Sequence, residues 1–290
     1  MMGEASPAPV VEGPQLELPR EQPSVIACCS AVYGNPLAEL LIGESLHPGG
    51  LESTRQLLAA SRLKPAARLL DAGCGLGASS CVAAAEFGLQ VDGVDASADV
   101  IARAESRQRT GRVQWHRADL LDLPCEPGTF DGILAECVLS TLPRADALAE
   151  MRRVLRSGGR LVMSDVEVSG VPIPALADHA VLGAALCVTD AWRAGELEQR
   201  LPAAGFVLER RWDRTSTILA LVDRVEARLG LAVVAARYMG LDLAMLAGAA
   251  GSGRLQPNGR AAVRRLADEV RAAVQRGDLR YFAAVARAVA

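Results

Sequence analysis

The residues best suited to chemistry lie in one run, LLDAGCGLGAS at 69–79. It follows an apolar stretch and opens a helical one, the context a nucleotide-binding glycine loop needs. Gly73, Gly75 and Gly77 let the chain turn sharply and bring backbone against a ligand with no Cβ in the way, with Cys74 between the first two. Alone the loop is ambiguous, because Gly73-x-Gly75-x-x-Ala78 also meets the dinucleotide fingerprint. Three acids help to separate the readings. Asp95, followed by Ala96, ends the next apolar run, where a carboxylate accepts hydrogen bonds from ribose hydroxyls of either ligand. Asp119, followed by Leu120, ends the run after that, where a carboxylate beside a backbone N–H can read an adenine edge. Asp71, two residues before the first glycine, disfavours a pyrophosphate and favours a ligand with sulfonium and ammonium groups.

These residues need a frame that brings strand ends together. Short apolar runs at 67–71, 90–95, 112–119, 130–136 and 160–166 alternate with helical stretches at about 78–87, 97–108 and 143–156. Such alternation predicts a parallel sheet covered on both faces. In the last of these helices Leu148, Met151 and Leu155 share a face, and Gly158-Gly159 should stop it. A helix near 193–204 leads to a strand at 206–213, three helical stretches at about 215–229, 232–249 and 259–276, and a closing strand at 280–289. Val263, Leu266, Val270 and Val274 form the apolar stripe of the last helix, with Gly277 as its cap. Residues 1–24 hold five of the 15 prolines and read as a disordered arm. Residues 25–61 read as a helical lid interrupted by LHPGG at 46–50, and 62–290 as the main domain.

Composition narrows the function classes. The 290 residues carry 31 Lys+Arg against 34 Asp+Glu, with no long basic run, so the footprint of a nucleic-acid protein is missing. Aromatic residues make up only 3%, too few for a large stacking platform. The seven cysteines are scattered and include no CxxC pair, which argues against a disulfide scaffold and the usual zinc spacings. The most apolar segment, 229–251, is broken by Arg237 and Asp242 and does not read as a membrane span. The first residues carry no basic start followed by an apolar run, so no secretion signal is expected. The expectation is a cytoplasmic protein, monomer or homodimer, acting on a small molecule without nucleic acid, membrane or metal.

The spacing Asp71-x-Gly73-x-Gly75-x-Gly77, then Asp95, Asp119 and the later LRSGGRLVMSDV, resembles the class I S-adenosylmethionine-dependent methyltransferases over about residues 45–213. The resemblance implies an α/β fold: a seven-stranded Rossmann-like methyltransferase sheet with helices on both faces and an antiparallel final pair. Here a helical insert at about 215–276 precedes the last strand. It also implies that the loop from Gly73 to Gly77 wraps the methionine part of S-adenosyl-L-methionine. Asp95 with Ala96 would hold the ribose, and Asp119 with Leu120 would lie near the adenine. FDGILAECVLSTLP at 130–143 and SDV at 164–166 are similar to the branch containing arsenite methyltransferases and ubiquinone/menaquinone C-methyltransferases.

In that branch a cysteine at the place of Cys137 is one of the thiolates that bind trivalent arsenic, a soft centre. Cys28 and Cys187 are the candidates to complete the set, and Tyr33 is a candidate lid residue at the substrate. His47 in LHPGG is the candidate general base, and Glu136 the candidate partner of the cofactor's ammonium. The resulting expectation is methyl transfer to a small acceptor, with arsenic or a thiol slightly ahead of carbon or oxygen. Two other readings stay open. One is a non-catalytic cofactor-binding or assembly protein that docks through its helical insert; the other, disfavoured by Asp71 and Asp119, is an NAD-dependent oxidoreductase.

Overall fold

The computed structural model describes residues 40, 42–43, 45, 47–107, 111–174, 187–188, 190–238 and 259–289. Successive side chains of a strand point to opposite faces, so an uninterrupted apolar run must be covered on both. Strand β1 (Arg68–Ala72) shows this directly. Leu69 packs with Leu57, Leu58, Val82 and Leu89 on one face. Its neighbour Leu70 packs with Phe130, Ile133, Leu148 and Met151 on the other.

The remaining strands are β2 (Gln90–Asp95), β3 (Val113–Arg117), β4 (Phe130–Glu136), β5 (Leu155–Val168), β6 (Trp192–Arg193), β7 (Phe206–Asp213) and β8 (Leu279–Ala288). The described helices are α1 (Gly50–Ser61), α2 (Ala78–Glu86), α3 (Ala98–Arg107), α4 (Arg144–Val154), α5 (Glu196–Ala203), α6 (Ser216–Tyr238) and α7 (Gly259–Arg276). The strands lie in the order β3-β2-β1-β4-β5-β8-β7, with the short β6 beside β5. Strand β8 runs antiparallel to both β5 and β7, and the other pairs are parallel. After β3 the chain returns to place β4 on the far side of β1. The connections therefore diverge at the carboxyl ends of β1 and β4, where such sheets open a crevice.

The expected sheet is present, with an eighth, two-residue strand added. Three boundaries differ from the sequence reading. Helix α4 ends at Val154, because Leu155 turns to extended backbone and pairs with Phe130 of β4. Gly158-Gly159 therefore lies inside β5 and does not cap the helix. Strand β3 stops at Arg117, which leaves Asp119 beyond it in an isolated bridge to Asp122. Helix α6 continues through Gly230, where a break was expected, although an interior glycine costs about 1 kcal/mol. It packs against α7, where Arg271 binds Asp223 and Glu226 of α6 at 2.6 and 2.5 Å.

The described helices of the insert pack on β5 and β8. Ile218 of α6 and Val270 and Ala273 of α7 pack on Val166 of β5 and Tyr281 of β8. The stripe of α7 faces inward at Leu266, Val270 and Val274, and Gly277 closes the helix at φ +78°. Arg224 and Arg228 of α6 reach the carbonyls of Ile42 and Leu40. Cys28, Tyr33, the arm at 1–24 and most of the helix expected at 232–249 lie outside the described residues. Among the described residues no helix is long and apolar enough to cross a membrane.

Candidate functional site

The β1–α2 connection is a tight loop pinned to β2. The Gly73 and Cys74 N–H groups both donate to the Val94 carbonyl, at 2.8 and 2.9 Å, and Gly77 N–H donates to the Cys74 carbonyl at 2.9 Å. The glycines have different reasons to be there. Gly75 has φ +52°, and a Cβ built on it meets nothing within 4 Å, because it faces the open cleft. Gly77 has φ +81° and lies under Trp115, whose ring would be 2.2 Å from a Cβ. It is not among the residues that line the cleft, and packing under Trp115 calls for a glycine there. Gly77→Ala should therefore cost about 2 kcal/mol or more, from left-handed strain plus overpacking, read as a lower thermal midpoint. An unchanged midpoint would contradict this.

The cleft at the divergence of β1 and β4 is lined by His47, Asp71, Gly73, Cys74, Gly75, Asp95, Ala96, Asp119, Leu120, Glu136 and Cys137. Asp95 shapes it by accepting from Gly75 N–H at 3.2 Å and Ser97 N–H at 2.9 Å. Burial pushes its carboxyl above the ordinary carboxylate range. Asp119 accepts from Leu121 N–H at 2.9 Å. Asp71 is buried and accepts from the Ser80 hydroxyl. Burial, reinforced by the charges of Glu136 and Asp95, raises it to about 7. Three carboxylates thus converge on the wall nearest the loop, and no Lys or Arg lines it among the described residues. Burial also pushes up the Cys74 thiol, which is a packed neighbour of these acids.

Glu136 ends β4 and is held by hydroxyls that no sequence motif announces. Ser79 donates to its Oε2 at 2.7 Å and Thr54 at 3.1 Å. His47 Nε2 stands 3.3 Å from the same oxygen and 2.8 Å from Ser45 Oγ. Cys137 follows with φ +54° and its N–H on the Ser164 carbonyl at 2.8 Å. Its thiol touches the Tyr281 hydroxyl at 3.4 Å, and Tyr281 in turn donates to Ser164 Oγ at 2.9 Å. Cys187 packs behind Cys137, its thiol 3.5 Å from the Cys137 carbonyl, and does not reach the cleft wall. The Cys187 sulfur beside it, which the Cys137 S–H can donate to, together with burial holds the Cys137 thiol well above its usual range. Among the described residues no group of three or more His, Cys, Asp or Glu side chains could hold a metal ion.

Residues 70–163 match the methyltransferase domain family. The fold is that of the Rossmann-like methyltransferases. The chain is 36% identical over 154 residues to the O-methyltransferase cnsE of Penicillium expansum, covering 50% of this chain and 54% of that protein. Several other curated relatives are also named O-methyltransferases. The chain spans about half the length of the curated relatives it matches. Among solved structures, a phosphoethanolamine N-methyltransferase 2 of Haemonchus contortus with S-adenosylhomocysteine bound is similar at TM-score 0.68 and 19% identity, over 93% of this chain and 61% of that one. The [4+2]-cyclase SpnF is similar at TM-score 0.66 and 20% identity, over 92% of this chain and 97% of that one. One fold thus carries both methyl transfer and a cyclisation, so activity has to be argued from the site.

Proposed function

We propose that the protein transfers a methyl group from S-adenosyl-L-methionine to a hydroxyl oxygen of a small-molecule acceptor. The observation that carries this reading is the convergence of Asp71, Glu136 and Asp95 on a glycine loop whose Gly75 leaves open space. Such a wall fits a cation and repels a pyrophosphate. Asp71 and Glu136 would hold the ammonium, Asp95 the ribose hydroxyls, and Asp119 an adenine edge beside the apolar side chains of Val100 and Leu120. When bound, the sulfonium supplies an activated methyl carbon. The chain's own work is to align the acceptor, exclude water and take its proton.

Oxygen is preferred as acceptor because several relatives are named for O-methyl transfer. The arsenic or thiol acceptor drawn from the arsenite-methyltransferase resemblance finds no support among those relatives. It also fits poorly with a Cys137 thiol whose buried surroundings keep it protonated. The test is incubation with methyl-labelled S-adenosylmethionine and a panel of phenols, alcohols, thiols and arsenite. Label is expected in a methyl ether, and label on thiols or arsenite alone would overturn the oxygen acceptor. Cys137→Ser is expected to keep hydroxyl methylation within roughly threefold, a change below about 1 kcal/mol. Complete loss of turnover in that variant, with the cofactor still bound, would return the argument to a soft acceptor.

A further inference from the structure

Both ring nitrogens of His47 face oxygen atoms in a nearly closed site, where the His47 side chain is 9% exposed and that of Glu136 5%. Nδ1 lies 3.3 Å from the Pro48 carbonyl, which can only accept. Nε2 lies 3.3 Å from the Glu136 carboxylate, which when ionised can also only accept. The Ser45 and Thr54 hydroxyls, at 2.8 and 3.4 Å from Nε2, are free to accept as well. Each of these partners can accept from a ring N–H, so the site has room for a proton on both nitrogens. Glu136 also accepts hydrogen bonds from Ser79 and Thr54. The other titratable groups lining the cleft among the described residues, Asp71, Asp95, Asp119, Cys74 and Cys137, are all acids and supply no positive charge. The protein's own counter-charge to Glu136 in the cleft is therefore His47, which sits where the ammonium of the proposed cofactor would have to bind.

We propose that His47 is a catalytic base switched on by cofactor binding: it stands as an imidazolium on Glu136 in the free protein and yields that carboxylate to the cofactor's ammonium, releasing its Nε2 proton. This rests on the cofactor reading given above. The charges balance, since one positive group enters the wall and one proton leaves to solvent while Glu136 stays ionised. The neutral ring then has a lone pair at Nε2, where Ser45 Oγ now marks the place of a hydroxyl. In the transfer the acceptor oxygen forms its bond to the methyl carbon, the carbon–sulfur bond breaks with its electrons going to sulfur, and the hydroxyl proton passes to Nε2. When product leaves, that proton restores the pair with Glu136. Without cofactor the ring has no lone pair to offer, so the acceptor cannot be deprotonated out of turn.

The test reads the ring nitrogens directly. The protein carries three histidines, so His47 can be assigned in ¹⁵N-histidine-labelled protein with His116→Gln and His179→Gln variants. The probe is S-adenosylhomocysteine, which has the ammonium and no methyl to transfer. At neutral pH the His47 Nε2 resonance is expected to move from protonated to unprotonated as the ligand saturates the site. In Glu136→Gln it should be unprotonated from the start and stay so. Calorimetric heat of binding with His47 still doubly protonated would overturn the switch, as would a doubly protonated ring in Glu136→Gln. No heat at all would overturn the cofactor reading itself, and the switch with it. The wild-type titration decides the matter even if Glu136→Gln does not fold.

Discussion

Asp71→Asn is expected to stabilise the protein above neutral pH and to weaken S-adenosylmethionine binding by tenfold or more. Asp71 is 3% exposed, and its carboxyl is raised from 3.8 to about 7, first by burial and then by Glu136 and Asp95. Between those two values the folded chain holds a proton that the unfolded chain has released. Stability therefore falls as pH rises from about 4 to 7, and above 7 the charged, buried carboxylate costs up to roughly 4 kcal/mol. Asparagine removes the charge and can still accept from the Ser80 hydroxyl. Urea unfolding at pH 5 and pH 8 checks this: the variant should gain at pH 8 and show little gain at pH 5. Equal changes at both pH values would contradict the assignment. Binding responds in the opposite sense, because an ammonium ligand needs the ionised carboxylate. Wild-type affinity should climb with pH through 7, and the climb should be shallower in the variant. The lost charge-assisted hydrogen bond is worth about 1.5–3 kcal/mol.

Gly75→Val is expected to abolish measurable cofactor binding in a protein that still folds. A side chain at φ +52° costs about 1–2 kcal/mol, somewhat more when β-branched, which a domain of this size can absorb. Nothing in the protein stands within 4 Å of the new Cβ, so the branch points into the cleft. There it takes the space through which the ligand approaches the backbone, and it disturbs the Gly75 N–H that Asp95 accepts at 3.2 Å. The contrast with Gly77→Ala is informative. Two residues away, a single methyl group strikes Trp115, so that change acts on folding before it acts on binding. Affinity within roughly threefold of wild type in a folded Gly75→Val protein would contradict the placement of the ligand.

The parts of the site legible in the sequence are those written locally. The loop at 69–79, Asp95 at the end of β2 and Glu136 at the end of β4 are each fixed by a strand-then-turn pattern, and the structure brings them to one cleft. Asp119 was legible as a residue but not in its setting, since β3 gives way two residues earlier. Gly158-Gly159 looked like a helix stop because a glycine pair is a local signal. The pairing of Leu155 with Phe130 is a tertiary one, and it ends α4 first. The carboxylate network was not legible at all. Thr54, Ser79 and Glu136 are 25 to 82 positions apart, and isolated hydroxyl residues on helices carry no pattern. Cys187 was placed near Cys137 by family likeness, and the packing of β8 and the insert sets it there, with its thiol on the Cys137 carbonyl.

The most direct measurement is calorimetric titration of the protein with S-adenosylmethionine, S-adenosylhomocysteine and NAD⁺ under the same conditions. The acidic cleft predicts micromolar binding of both adenosyl ligands, about −8 kcal/mol, with no heat from NAD⁺. Binding of NAD⁺ alone, or silence from all three, would contradict the assignment of Asp71, Asp95 and Glu136 to a sulfonium cofactor.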